Sequence, residues 1–234
     1  MLPYPVFSIF HFQFSIFNYH GFMPHGKRIA ELLINVGAVR LSVDPPFTWT
    51  SGIKSPIYCD NRLLYSHPDA RDFVVDALVS RVKGLHIPPD VVAGTATAAI
   101  GWAALVADRL KLPFVYVRGK AKEHGMGKRI EGTLPHGKHV VLIEDLLSTG
   151  GSAISSVQAL REEGQAVVTD IVAIFSYELY SGVEAAQENR VKLHPLANLG
   201  TLLDVAVEQG RLGPGDLAKI GSFAEDPKTW AARI

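Results

Sequence analysis

The sequence predicts an α/β fold, a parallel sheet flanked by helices on both faces. Apolar runs of strand length recur at residues 91–93, 114–117, 140–144 and 167–175, near-continuous in the manner of strands buried on both sides. Segments with apolar residues at helical spacing lie between them. Strand and helix alternate, and right-handed crossovers then make the sheet parallel.

The elements are expected in this order. Lys27 to Val36 is helical, with Leu32, Leu33 and Val36 on one side. Pro68 opens a helix from Asp69 to about Val82, which Pro88-Pro89 closes off from the strand Val91-Val92-Ala93. A helix over Ala96 to Leu110 leads to the strand Phe114 to Val117. The strand Val140 to Glu144 is followed by a helix from Gly151 to Glu163, in which Ile154, Val157 and Leu160 share a face. Val167 to Phe175 is the last predicted strand, and Ser181 to Asn189 a further helix. After His194-Pro195, short helical pieces broken by Pro214 and Pro227 run to the end.

Met1 to Phe22 stands outside this pattern. It is rich in Phe, Tyr and Ile but broken by Pro3, Pro5, His11, Gln13, Asn18 and His20. It has neither the cationic start of a signal peptide nor the ~20 apolar residues of a membrane helix. It is read as an extension, with Met23 the more natural beginning and 23–234 the domain. A chain of 234 residues suits one α/β domain with a small appendage. Lys+Arg and Asp+Glu balance at 23 each, which supplies no global drive toward nucleic acid or an anionic membrane. The single cysteine, Cys59, excludes an internal disulfide and a multi-cysteine metal site, and it is expected as a small buried residue. His25, His67, His86, His136, His139 and His194 show no metal-ligand spacing and are expected in surface loops.

The most informative segment is Val140-Val141-Leu142-Ile143-Glu144-Asp145-Leu146-Leu147-Ser148-Thr149-Gly150-Gly151-Ser152. Its acids fall at a strand's carboxyl end, where open α/β sheets bind ligands. Ser148 to Ser152 then brings small residues, hydroxyls and free N–H groups to a helix N-terminus, a cradle for phosphate. The carboxylates can accept hydrogen bonds from sugar hydroxyls or hold a hydrated divalent cation, so a sugar phosphate is implied. The motif is neither a P-loop nor the dinucleotide fingerprint, because both G-x-x-x-x-G-K-[ST] and G-x-G-x-x-G are absent at this position. A second segment, Tyr116 to Gly132, leaves a strand as a long loop with five cations, one histidine and four glycines. Too few apolar side chains anchor it, and a mobile cationic lid over a polyanion is the natural inference.

The thirteen-residue motif resembles the phosphoribosyl pyrophosphate (PRPP) motif of the type I phosphoribosyltransferases. Within them, R-x-x-x-K-x-H-G at Arg118, Lys122, His124 and Gly125 is similar to the loop of the orotate phosphoribosyltransferase family. Phe47 to Arg62 looks like that family's substrate segment, and Asp90 to Ile100 like its pyrophosphate loop, at Gly94, Thr95, Ala96 and Thr97. The resemblance spans residues 24 to 234. It implies a parallel sheet with a small hood formed by N- and C-terminal segments. It further implies transfer of the 5-phosphoribosyl group from PRPP to orotate with magnesium, in a cytoplasmic homodimer that shares the loop across its interface.

By the same resemblance, Glu144 and Asp145 hold the ribose hydroxyls. Leu146, Leu147, Ser148, Thr149, Gly150, Gly151 and Ser152 surround the 5'-phosphate, and Ser148 also touches orotate. Arg118, Lys122 and His124 close over pyrophosphate, with Lys122, His124 and Asp145 catalytic. No protein metal site is assigned, and neither nucleic acid nor membrane is an expected partner. The chain departs from the family's pattern in carrying Thr50 and Gly119 where cations are expected. It also lacks a lysine from Gly94 to Ala99 and an arginine within Ser176-Tyr177-Glu178. Orotate's carboxylate then needs another partner, for which Arg62 and backbone N–H groups near Tyr58 are candidates. Lys54 in G-I-K-S-P is ambiguous, because its loop could simply present it to solvent. The alternatives are a purine phosphoribosyltransferase, which would lack the R-x-x-x-K-x-H-G loop, and a PRPP-sensing regulator that binds nucleic acid, which needs a basic face.

Overall fold

The computed structural model describes residues 25–49, 51–119 and 128–233. The proposed extension at 1–22 lies outside them. Helix α1 (Gly26–Asn35) precedes two small antiparallel ribbons. In the first, β1 (Val39–Leu41) pairs with β4 (Ile57–Cys59). In the second, β2 (Phe47–Thr48) pairs with β3 (Lys54–Ser55). A 3₁₀ turn over Asn61–Ser66 then leads into α2 (Pro68–Lys83). Pro68 fits the first turn of α2, where its missing N–H costs nothing, while Asp69 at the start and Arg81 and Lys83 at the end complement the helix dipole.

The body alternates as predicted: β5 (Val91–Thr95), α3 (Ala99–Leu110), β6 (Phe114–Val117), β7 (Ile130–Glu131), β8 (His139–Leu147), α4 (Gly151–Glu162), β9 (Val167–Ser176) and α5 (Tyr180–Glu188). The chain continues through β10 (Lys192–Asn198), α6 (Leu199–Glu208), α7 (Pro214–Gly221) and α8 (Trp230–Arg233). The six-stranded sheet has the order β10-β9-β8-β5-β6-β7. Its two faces bury separate apolar clusters. Val141, Ile143, Val172 and Ile174 pack toward α1, α2, α3 and α6, while Leu142, Ile171 and Ala173 pack toward α4 and α5. The first and last segments meet in a hood, where Trp49 contacts Tyr177 and Phe223, and Phe223 contacts the buried Trp230. Among the described residues no helix is long and apolar enough to cross a membrane.

Four expectations are corrected. The sheet is not wholly parallel, because β7 adds an antiparallel edge beside β6. The residues around His194-Pro195 form β10 rather than helix, parallel to β9. A proline is tolerated there because an edge strand has one side without ladder bonds. The central strand does not stop at Glu144, since Leu146 and Leu147 still pair with Phe175 and Ser176, and both acids therefore lie within it. Lastly, His139 and His194 are not in surface loops. The ring of His139 is buried against Thr169 (2.9 Å), and that of His194 sits 2.7 Å from Asp170, tying β8, β9 and β10 together at the end of the sheet where these strands begin.

Candidate active site

The carboxyl edge of the sheet gathers three segments. From β8 comes the acid pair, and strand alternation sends its members to opposite faces. Asp145 is half-buried and lies near Cys59, Arg62 and Tyr65, on the side of the sheet that carries Ile143. Its main-chain carbonyl accepts a 2.6 Å bond from Nδ2 of the buried Asn61, whose Oδ1 in turn accepts from the Cys59 thiol (3.2 Å). Burial raises the Asp145 carboxyl above its ordinary value, an effect opposed by main-chain hydrogen bonds and the nearby Arg62. Glu144 points the other way, 3 % exposed, beside Thr95, whose hydroxyl donates to Ser156 of α4 (3.1 Å). Its Oε1 has no hydrogen-bond partner, and burial pushes its carboxyl up to about 8.

That displacement predicts a pH dependence. The folded protein keeps a proton on Glu144 that the unfolded chain, with a carboxyl near 4.5, has already released, so stability falls as pH rises from about 4.5 to 8. The slope is set by the one proton that Glu144 keeps in the folded state. Glu144→Gln should flatten the slope and be the more stable form at pH 8. Urea unfolding at pH 6, 7 and 8 checks this, and parallel slopes in the two proteins would refute it.

The second segment is the turn after β8. Thr149, Gly151 and Ser152 are exposed at the start of α4, and Gly150 takes φ +79°, a conformation that glycine adopts without strain. The third is the turn Ala96–Ala98 after β5. Here the expected helix begins late, at Ala99. A side chain at Gly94 would meet Ala103 Cβ at 2.8 Å and Ala99 O at 2.9 Å, so this glycine lets α3 close against the strand. The Tyr65 hydroxyl fixes the turn by donating to Ala98 O (2.7 Å) and accepting from Trp102 N (3.1 Å), while its ring stacks on Trp102.

Arg118 stands at the sheet edge where the cationic loop departs, 3.5 Å from Glu131. The returning Arg129 anchors the stem: its side chain donates to Arg118 O (2.9 Å) and to Ser155 O of α4 (3.1 Å), and its N–H donates to Glu163 (2.8 Å). Lys122 and His124, expected to close over pyrophosphate, lie outside the described residues. Arg62 is largely exposed and makes paired bonds with Asp60 at 2.6 and 2.8 Å. Lys54 is exposed and donates to Thr48 (2.7 Å). Cys59, expected to be buried, is largely so: it packs against the apolar cluster on the α1 side of the sheet, and burial pushes its thiol well above the ordinary value.

Sequence reasoning missed Asn61 and Tyr65, although both fall in or just after the segment singled out for substrate. A polar amide and a phenol in an apolar turn were the available signals. Their partners lie 84 and 33 residues away, which no local pattern discloses.

A mainly parallel sheet whose carboxyl edge joins an acid pair, a glycine-bearing turn at a helix N-terminus and the root of a cationic loop has the architecture of the phosphoribosyltransferase class. The family model described as "Phosphoribosyl transferase domain" matches residues 64–186. The orotate phosphoribosyltransferase of Cutibacterium acnes is 47 % identical over 205 residues, covering 88 % of this chain and 94 % of that protein. That of Listeria innocua is 48 % identical over 204 residues, with coverages of 87 % and 97 %. The crystal structure of orotate phosphoribosyltransferase from Aeropyrum pernix superposes with a TM-score of 0.68 at 32 % identity, over 79 % of this chain and 99 % of that one. The chain belongs to the orotate phosphoribosyltransferase family.

Proposed function

We propose that this protein transfers the 5-phosphoribosyl group of PRPP to orotate, releasing pyrophosphate and forming orotidine 5'-monophosphate for pyrimidine biosynthesis. The observation that carries this reading is the joining of Asp145 and the Ser148–Ser152 turn at one sheet edge, beneath the substrate segment bonded to it through Asn61. Asp145 accepts from the ribose hydroxyls. Glu144, directed away and buried, supports the Thr95 and Ser156 elements beside the site instead of sharing that contact equally. Ser148, Thr149, Gly150, Gly151 and Ser152, led in by Leu146 and Leu147, hold the 5'-phosphate with hydroxyls and the free N–H groups at the start of α4. Gly94 to Thr97 offer backbone to pyrophosphate, and Arg118, Lys122 and His124 close over it from the loop. Arg62, already paired with Asp60, is the cation available to orotate's carboxylate.

The bond from the anomeric carbon to pyrophosphate breaks as the orotate ring nitrogen bonds that carbon, and the proton lost from that nitrogen leaves with the pyrophosphate. Positive charge develops on the ribose and negative charge on the departing group. Magnesium suits such a site. Among the described residues no group of three His, Cys, Asp or Glu side chains gathers as a metal cage, whereas magnesium commonly takes one or two carboxylates together with waters and substrate phosphates. Asp145 would hold it through its waters, and the ion would neutralise charge on the polyphosphate. The working unit is a cytoplasmic homodimer with the cationic loop donated to the partner's site. The test is PRPP-dependent loss of orotate absorbance with equimolar pyrophosphate release; orotate left unconsumed under saturating PRPP and magnesium would reject the reading.

A further inference from the structure

The phosphate turn is not held from below alone. Gly182, buried in the first turn of α5, lies against it so closely that a Cβ there would stand 2.6 Å from Ser148 O, 3.4 Å from the Thr149 carbonyl carbon and 3.6 Å from Gly150 N. The relation is mutual. A Cβ on Gly150 would meet Gly182 Cα at 3.3 Å and Gly182 O at 3.4 Å. Two glycines thus touch backbone to backbone, and no flexible side chain lies between them that could yield to an added methyl.

Helix α5 is itself fixed. The buried Leu179 accepts from Gly182 N (2.9 Å) and Val183 N (3.2 Å). Ahead of it, Glu178 N donates to Ser176 Oγ (3.0 Å), and the Glu178 carboxylate accepts from Asn198 Nδ2 (3.0 Å). Asn198 also caps α6 by accepting from Thr201 N (2.9 Å). At the far end of α5, Arg161 of α4 donates to Asn189 O (2.8 Å). The helix cannot retreat freely, so an intrusion at position 182 would move the turn instead.

We infer that Gly182 is a positioning residue, and that α5 is a buttress setting where the 5'-phosphate turn stands. This rests on the reading of Ser148–Ser152 as that turn. A phosphate site made of backbone N–H groups has little tolerance for displacement, because a shift near 1 Å in a bound group can cost up to about 10²-fold. The substrate recognised through the buttressed turn is a sugar 5'-phosphate, so the loss should fall on PRPP binding more than on turnover at saturation.

The test compares wild type, Gly182→Ala, Ser152→Ala and Val82→Ala. Val82 is buried in α2 at the opposite end of the sheet from the site. Steady-state kinetics and calorimetric titration with PRPP are read together with Tm. Gly182→Ala should raise the KM and Kd for PRPP about 10-fold while kcat changes less than about 3-fold. Val82→Ala should lose comparable Tm with an unchanged KM. An unaltered PRPP KM in folded Gly182→Ala, or an equal rise in Val82→Ala, would overturn the inference. Wild type that fails to bind PRPP, or Ser152→Ala that binds it normally, would instead reject the phosphate-turn reading on which it rests. If Gly182→Ala does not fold, Asn198→Ala carries the test. It removes the Asn198–Glu178 bond ahead of α5, together with the α6 cap, without adding atoms, and it should raise the PRPP KM about 3-fold at constant kcat; an unchanged KM there would equally overturn the buttress.

Discussion

Asp145→Asn is expected to lower kcat/KM for PRPP by about 10²-fold or more while leaving the fold intact. A carboxylate that accepts from two ribose hydroxyls makes charge-assisted bonds. Weakening both by ~1.5 kcal/mol amounts to about 3 kcal/mol, or roughly 10²-fold. Folding should suffer little, because burial already works against the ionised form of Asp145 and a neutral amide of the same shape removes that cost. The bond from Asn61 reaches the main-chain carbonyl and survives the substitution. Kinetics with PRPP varied, alongside urea unfolding, check both halves. Normal PRPP kinetics in the variant would move the ribose site elsewhere.

Lys122→Ala is the second large effect. If this lysine meets charge that develops only as pyrophosphate departs, kcat should fall by about 10²-fold while PRPP affinity falls less. If the proposed homodimer shares the loop across its interface, a sharper expectation follows. Lys122→Ala subunits mixed with Asp145→Asn subunits form heterodimers with one intact site, built from the normal loop of one chain and the normal acid of the other. Activity should rise on mixing under subunit exchange. No recovery, with exchange confirmed separately, would leave each chain using its own loop.

Much of this architecture was legible in the residues themselves. The strands at 114–117 and 167–175 and the helices on α1, α2 and α4 fell within two residues of their expected bounds, because apolar runs and helical spacing report burial directly. What escaped depends on partners distant in sequence. Lys192–Asn198 mixes Lys, His and Pro and has no strand pattern of its own; it becomes a strand because β9 offers it an edge. Glu144 and Asp145 read as a matched pair, yet as neighbours within a strand they face apart, one toward Thr95 and the other toward Cys59, Arg62 and Tyr65. The small residues of the phosphate turn were evident, but the glycine that meets it from α5 was not. Gly182 lies some thirty residues further on, in a segment whose sequence marks only a helix.

The site is expected to serve orotate rather than a purine. The most direct measurement is kcat/KM for orotate against adenine, guanine and xanthine at fixed PRPP and magnesium. A site that hydrogen-bonds its own substrate rejects analogues that leave its buried polar groups unpaired, so orotate should exceed every purine by at least about 10³-fold. A purine used as well as orotate, or better, would assign the site to purines instead.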